Sequence, residues 1–160
     1  MTYKFNSVLK KSKYLVTNHT SVQTTSSSGG TFVTLLGSEI SYEPSENASK
    51  VVYEISFYCE KLGNPFTGVY LEHYVSGSWS EINQKYRKNW GLGGSTSQMH
   101  RWPIYFRFVL PAWSGERSLR IRLAHHAANR NINLHQITDW DGNSSVTDKF
   151  SNTNLLVYSV

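Results

Sequence analysis

The sequence predicts an all-β protein, an antiparallel β-sandwich of the jelly-roll class, and three observations support that prediction. Aromatic residues make up 14% of the 160-residue chain and charged residues only 17%, a balance typical of β-rich proteins. Short stretches that alternate apolar and polar residues recur at spacings of roughly ten to fifteen residues. Turn-forming residues separate these stretches, and none of them has the period of a helix.

The clearest strand lies within residues 49–59. From Val51 to Cys59 the odd positions are all apolar or aromatic, whereas the even positions include a carboxylate and hydroxyls. Because successive side chains of a strand point to opposite faces, this pattern predicts a half-buried antiparallel strand. Cys59 lies on the apolar side, so we expect a small buried side chain and not a reactive thiol.

The N-terminal region divides into two parts. Residues 1–16 are basic and partly apolar, which fits either a short helix or an arm that reaches a neighbouring protein. Residues 17–30 are polar and predict a loop, or an edge strand around residues 19–25. We therefore expect one jelly-roll domain over residues 1–160, in which residues 1–28 form an attachment arm or an edge strand.

The later elements follow from the same alternation. Gly37 interrupts a β-forming run and predicts a bend. Ser76 and Gly77 predict a tight hairpin turn, and Pro103 favours either an edge position for its strand or the start of that strand. The remaining expected elements are strands at 31–36, 38–42, 68–75, 78–82, 101–110, 119–124, 132–137 and 154–160, and a long polar loop over 83–100.

Charge and hydropathy limit the partners. The formal net charge is +5, but the basic residues are dispersed, which suits a solvated surface as well as a polyanion site. Arg120 and Arg122 with Arg107 and Tyr105 could form a nucleic-acid face, but a trimer interface or a solvated face is the preferred interpretation, so nucleic acid is not the expected partner. The N-terminus has no signal-peptide pattern and no apolar run approaches a membrane span, so synthesis in a host cytoplasm without membrane insertion is expected.

Two regions carry a resemblance to a known family. Residues 31–45, followed by the Ser49-Lys50 dipeptide that opens a strand, form the first; residues 133–142 with the Leu155-Leu-Val-Tyr158 strand form the second. They resemble segments of bacteriophage fibre-tip, head-fibre and decoration proteins, which have trimeric jelly rolls of the tumour-necrosis-factor and C1q kind. The resemblance implies a non-enzymatic virion protein that forms a homotrimer and attaches to other virion proteins through residues 1–16.

Several predicted strands carry aromatic residues on both faces, which a trimer would explain because one sheet of each protomer would pack on its neighbours. Glu54 and Ser56 would be the polar part of that contact. The residues expected at the subunit interface are Val52, Tyr58, Tyr70, Tyr74 and Tyr105.

A lectin-like module that recognises host surface glycans is the alternative. Aromatic rings stack on sugar rings, and residues at strand ends and in loops are well placed for binding. The candidate glycan contacts are Trp79, Trp90, Trp113 and Trp140.

Metal and catalytic sites are not expected, nor is a cofactor. His125, His126 and His135 match no zinc spacing. The acidic residues at 139–143 lack the glycine and glutamate positions of a calcium loop, so an Asp-Gly turn explains them. Glutamates such as Glu72 fall at outward strand positions, which favours solvated charge over a glycosidase pair.

Overall fold

The computed structural model describes residues 12–17, 23–26, 32–62, 67–90, 99–125, 131–135 and 152–160. These residues are almost entirely strand, with one short 3-10 helix at Gln84–Tyr86. The first six strands are β1 (Ser12–Thr17), β2 (Gln23–Ser26), β3 (Val33–Thr34), β4 (Ile40–Tyr42), β5 (Lys50–Leu62) and β6 (Thr67–Val75). The others are β7 (Ser78–Glu81), β8 (Lys88–Trp90), β9 (Met99–Pro111), β10 (Arg117–His125), β11 (Asn131–Leu134) and β12 (Thr153–Ser159).

Six of the strands form sheet A, which is organised around β5. On one side β9 pairs antiparallel along the whole of β5. On the other side β12 pairs with the first half of β5 and β11 with the second half. β1 extends the sheet beyond β12, and β2 extends it beyond β11. The strand that was clearest in the sequence is therefore the centre of its sheet.

The other six strands form sheet B, whose centre is the antiparallel pair β10 and β6. β3 and β4 lie on the outer side of β10, and β7 and β8 lie on the outer side of β6. Along the chain, β4, β6 and β10 belong to sheet B while β5, β9 and β12 belong to sheet A. This alternation between two antiparallel sheets confirms the predicted jelly-roll sandwich.

The core lies between the sheets and takes the odd positions of β5, as the alternation predicted. Tyr53 is fully buried, packs edge-on against Phe108 with 6.1 Å between ring centroids, and donates a 2.5 Å hydrogen bond to the Ser38 carbonyl. Burial raises the pKa of the Tyr53 phenol well above its usual 10.0, so the ring stays neutral. Cys59 is fully buried in the same cluster, as predicted.

The turn and edge predictions are confirmed. Ser76 and Gly77 both have positive φ, 53° and 84°, as a two-residue hairpin turn of the I′ type requires. Gly37, with φ of 78°, turns the chain between β3 and β4. Pro103 lies on β9, which pairs with β5 alone among the described strands. Gly37 and Pro103 thus mark a bend and an edge.

Three local predictions need correction. Residues 12–17 form an edge strand and not a helix, because they pair with β12. The predicted loop over 83–100 contains the 3-10 helix and β8, and its last residues begin β9. β11 ends at Leu134 and does not reach 137, because His135 has a φ of 69°, which a strand does not accommodate.

Candidate functional site

The outer face of sheet A is the candidate functional site. Register places the even positions of β5 beside the odd positions of β9 and the even positions of β12. The face combines apolar and aromatic side chains with charged ones. Its described members include Lys50, Val52, Glu54, Ser56, Tyr58, Glu60, Pro103, Tyr105, Arg107, Val109, Asn133, Asn154, Leu156 and Tyr158.

Two apolar side chains on the edge strand of this face are strongly exposed. Tyr105 is 60% exposed and Val109 is 41% exposed. Both lie on β9, two residues to either side of Arg107, whose side chain is 53% exposed. Large apolar side chains exposed on a sheet face are candidates for contact with a partner.

Glu54 holds the polar centre of the face. Its carboxylate pairs with Arg107 at 2.9 Å and accepts a hydrogen bond from the Tyr158 hydroxyl at 3.0 Å. Desolvation, followed by the charge of Glu54, raises the pKa of the Tyr105 phenol above 10.0. These groups give this part of the face an ion pair and a neutral tyrosine.

The face continues to an open sheet edge. β9 is 13 residues long, and among the described strands it pairs only with β5. An exposed edge strand offers unpaired backbone donors and acceptors to another chain, which Pro103 reduces at one position because it has no N–H. Sheet A thus offers an apolar face and an adjoining edge together.

The outer face of sheet B is built differently. Glu72 lies at its centre, is only 7% exposed, and pairs with Arg120 at 2.8 Å and Arg122 at 3.3 Å. Arg87 forms a second, bidentate pair with Glu81 at 2.7 and 2.8 Å. The prediction that Glu72 is solvated was wrong, because the neighbouring side chains cover it.

Arginines also cover the aromatic rings of sheet B. The Arg120 guanidinium lies 4.0 Å from the centroid of Trp79 and the Arg87 guanidinium 4.8 Å from that of Tyr70. Arg122 lies 5.0 Å from the ring of Phe32. We call this set the arginine–aromatic ladder: Phe32, Tyr70, Glu72, Trp79, Glu81, Arg87, Arg120 and Arg122. Each of its arginines has both a carboxylate and a ring partner.

The structure separates the residues that the sequence placed in one interface. Val52, Tyr58 and Tyr105 belong to the outer face of sheet A, whereas Tyr70 and Tyr74 belong to the outer face of sheet B. Val52 is only 2% exposed, since Val109 and Tyr158 flank it across the sheet, so it has little surface left for a partner.

The four residues considered for a nucleic-acid face are also divided between the two sheets. Arg107 and Tyr105 lie on the outer face of sheet A, and Arg120 and Arg122 lie on the outer face of sheet B. The sandwich separates these pairs, so they do not form the single basic and aromatic surface that single-strand binding uses.

The candidate tryptophans have different surroundings. Trp79 is half-buried in the arginine–aromatic ladder, with Tyr74 5.4 Å away between ring centroids. Trp113 is half-buried where β9 leads into β10, and it lines two clefts. Trp140 and the side chain of Trp90 lie outside the part of the chain that the structure describes.

Of the candidate histidines, only His135 is described with its side chain. It is fully buried, its ring packs against Phe57, and its Nδ1 lies 3.3 Å from the Thr153 hydroxyl. His126, the side chain of His125 and the acidic segment at 139–143 lie outside the described residues. Within the described ranges, no group of three or more His, Cys, Asp or Glu side chains is arranged to hold a metal ion.

Sequence reasoning missed two features of these surfaces, the burial of Glu72 and the clefts beside Trp113. The alternation of Arg120 and Arg122 on one strand opposite Glu72 on another was the available signal for the first. It becomes informative only when the pairing of β10 with β6 is known. The clefts arise between loops distant in sequence and had no signal of their own.

Comparison with known proteins adds little to this picture. No helix among the described residues is both long and apolar enough to span a membrane. No protein-family model matches the chain, and no curated protein does. One matching solved structure is that of the infectious bursal disease virus Gx strain, at 8% identity and a TM-score of 0.47, covering 93% of this chain and 36% of the viral one. A likeness of that size does not indicate what the chain does.

Proposed function

We propose that the protein is a non-enzymatic structural component of a bacteriophage virion, a capsid decoration protein, head fibre or tail-fibre tip that works as a homotrimer. The resemblance of residues 31–45, 49–57, 133–142 and 155–158 to phage virion proteins supports the location. The observation that carries the proposal is the outer face of sheet A, which exposes Tyr105 and Val109 on the open edge strand β9.

In the proposed trimer, the β9 edge of one protomer packs against the outer face of sheet A of the next protomer. The contact therefore joins two different surfaces, and a closed ring of three protomers buries every copy of both surfaces. Burial of apolar area contributes roughly 25 cal/mol per Å² before the costs of association. The Glu54–Arg107 pair would then be partly desolvated, and the hydrogen bond from Tyr158 would help to satisfy it.

Attachment to the particle is proposed for the N-terminal region. β1 takes Ser12–Thr17 into sheet A through its pairing with β12. The proposed contact with other virion proteins is therefore narrowed from residues 1–16 to residues 1–11. Lys4, Lys10 and Lys11 give this stretch a positive charge, which suits an acidic surface on the particle.

Light scattering of the purified protein tests the oligomer. We expect three times the 18.3 kDa chain mass. A Tyr58→Lys variant should lower that mass while leaving the thermal unfolding of the sandwich in place, because Tyr58 is half-buried on the proposed interface. A wild-type protein that is monomeric at micromolar concentration contradicts the trimer.

Recognition of host surface glycans is the second candidate function, and it is compatible with a receptor-binding tip. Trp79 and Trp113 favour it, since both lie near strand ends and both remain partly exposed. A glycan array probed with the intact protein tests this candidate, and an array without signal contradicts it.

A further inference from the structure

Two clefts meet at Trp113 at one end of the sandwich, away from the outer face of sheet A. The first has a volume of about 320 Å³ and the second of about 250 Å³, and they share Ala112 and Trp113. Loops that follow β4 and β9 form the walls of the first cleft. A volume of about 300 Å³ is at the lower end of the range for small-molecule sites, the size of a single compact ligand.

The indole of Trp113 is held from several sides. Tyr42 packs edge-on against it with 6.4 Å between ring centroids, and the Arg117 guanidinium lies 5.4 Å from the ring centre. Arg117 lines the second cleft and not the first. The ring is therefore supported from the side of the second cleft and can present a fixed aromatic wall to the first.

The first cleft combines this wall with oxygen acceptors. Glu43 and Glu46 supply carboxylates, and Ser45 and Ser114 supply hydroxyls. Ser45 is oriented by a 3.1 Å hydrogen bond between its hydroxyl and that of Ser159. Glu46 and Ser114 are exposed and accessible to a ligand. The cleft thus combines one aromatic plane with several oxygen acceptors around it.

We propose that the first cleft is a binding site for one ring of a neutral glycan. This inference rests on the glycan-binding function named as the second candidate and assigns its site and ligand class. The apolar C–H face of the sugar would lie on Trp113, whose ring face is negative and attracts the partly positive C–H groups. Sugar hydroxyls would donate to Glu43 and Glu46, and such charge-assisted hydrogen bonds are stronger than neutral ones.

The charges of the cleft select the class of sugar. Carboxylated or sulfated sugars would meet the carboxylates of Glu43 and Glu46, and like charges placed together in a binding site are unfavourable. A cationic ligand such as a quaternary ammonium would bring a second positive charge to the Trp113 ring, which already has the Arg117 guanidinium 5.4 Å from its centre. A neutral ring avoids both conflicts.

Trp79 is the weaker candidate for this role. The Arg120 guanidinium lies 4.0 Å from its ring centre and Tyr74 packs beside it, so much of its surface is already in contact. Trp79 lines neither of the two clefts. A sugar on Trp79 would have the ring but neither of these two clefts around it.

The test uses the full-length protein on an array of neutral and acidic oligosaccharides, followed by calorimetric titration with the best neutral sugar. We expect binding to neutral sugars only. E46Q should weaken it about tenfold or more, the usual size of one lost charged hydrogen bond. E39Q, at an exposed glutamate that does not line the cleft, should bind like wild type. Glu46 is exposed on a loop, so E46Q should also melt like wild type.

Each other outcome overturns a defined part of the proposal. An array without signal overturns the glycan function and the site together. W113L removes the aromatic wall of the cleft and is the second test of the site. If E46Q and W113L both bind neutral sugars as wild type does, the site is overturned and the glycan function is kept. Preference for acidic sugars, or tighter binding of tetramethylammonium than of any sugar, overturns the ligand class. If W113L does not fold, E46Q alone decides the site.

Discussion

The two outer faces of the sandwich use similar residue types in opposite ways. Sheet B buries Glu72 between two arginines, and every arginine of the arginine–aromatic ladder covers a ring. The outer face of sheet A carries the Glu54–Arg107 ion pair and leaves Tyr105 60% exposed. The rings of the arginine–aromatic ladder are covered by arginines of the same chain, whereas the outer face of sheet A leaves apolar area in contact with water.

The position of the exposed rings strengthens the contrast. The exposed members of sheet B, Tyr74 and Val75, lie at the tip of the β6–β7 hairpin. Those of sheet A, Tyr105 and Val109, lie on the edge strand β9, on either side of Arg107. A hairpin tip offers a small convex contact, and a sheet face offers a broad flat one. The comparison teaches that an outward aromatic is informative about a partner only when no side chain of its own chain covers it.

The largest effect on the fold is expected from Glu72→Gln. It leaves Arg120 and Arg122, whose side chains are 17% and 30% exposed, without their shared counter-charge. Breaking a fully buried pair costs about 3–5 kcal/mol, and partial exposure of the arginines should reduce this to roughly 2–3 kcal/mol. Urea denaturation measures the loss.

Glu54→Gln is the matched control for that variant. The Arg107 side chain is 53% exposed, so the pair on sheet A should contribute less than about 1 kcal/mol to the fold. Equal losses of stability in the two variants would mean that the two faces do not differ in the way described.

The largest effect on assembly is expected from Tyr105→Glu. A carboxylate in the middle of the proposed interface should weaken association by about 2 kcal/mol or more, the size of an interface hot spot. Light scattering should show single chains. Tyr74→Glu, which changes a comparably exposed tyrosine on sheet B, should keep the oligomer. If Tyr74→Glu dissociates the protein and Tyr105→Glu does not, the subunit contact has been assigned to the wrong sheet.

A smaller effect is expected from Arg120→Lys. Lysine keeps the charge but loses the planar group that stacks on Trp79 and pairs with Glu72. We expect a loss of roughly 1 kcal/mol from the cation–π contact and the changed pair. Arg107→Lys on sheet A, measured by the same thermal unfolding, should change stability by less than about 0.5 kcal/mol. Similar losses in the two variants would show that the ladder adds no stability of its own.

The smallest effect on stability is expected from the titration of His73, which lies on β6 of sheet B. Desolvation, and then the charge of Arg117, lowers the pKa of His73 below 6.5. As the pH falls, His73 is therefore protonated in the unfolded chain before it is protonated in the folded chain. Its contribution to the free energy of unfolding is complete above pH 6.5 and is lost as the pH falls towards the folded pKa. Ordinary carboxylates titrate near pH 4 and stay charged through most of this window.

Urea midpoints at pH 7.5 and pH 5.0 measure this slope. His73→Asn should show a smaller decrease between the two values than wild type, since the other histidines are common to both proteins. An identical decrease in both would exclude His73 as a source of the pH dependence.

Much of the fold was predictable because strand alternation is a local property. The odd positions of β5 predicted a buried face, and Tyr53 and Cys59 are indeed fully buried. Ser76 and Gly77 predicted their turn because only certain residues adopt positive φ easily. The edge position of Pro103 followed from its missing N–H. Each of these inferences needs only a few neighbouring residues.

The candidate site was predicted only in part. The alternation identified Tyr58 and Tyr105 as outward residues, but it also placed Tyr70 and Tyr74 in the same interface. Strand periodicity shows which side of its own strand a residue takes. It does not show which sheet the strand joins, so residues from both sheets were grouped together.

The sequence by itself determined the all-β class, the jelly-roll prediction, the buried side of β5 and the turn at Ser76-Gly77. Only the tertiary structure decided that Val52 and Glu72 are covered, that the aromatics divide between two opposite faces, and that loops distant in sequence form a cleft at Trp113. The physical reason is that burial of an outward side chain depends on the register of the paired strands and on the side chains across them. Those neighbours come from positions far along the chain, so no local pattern contains them.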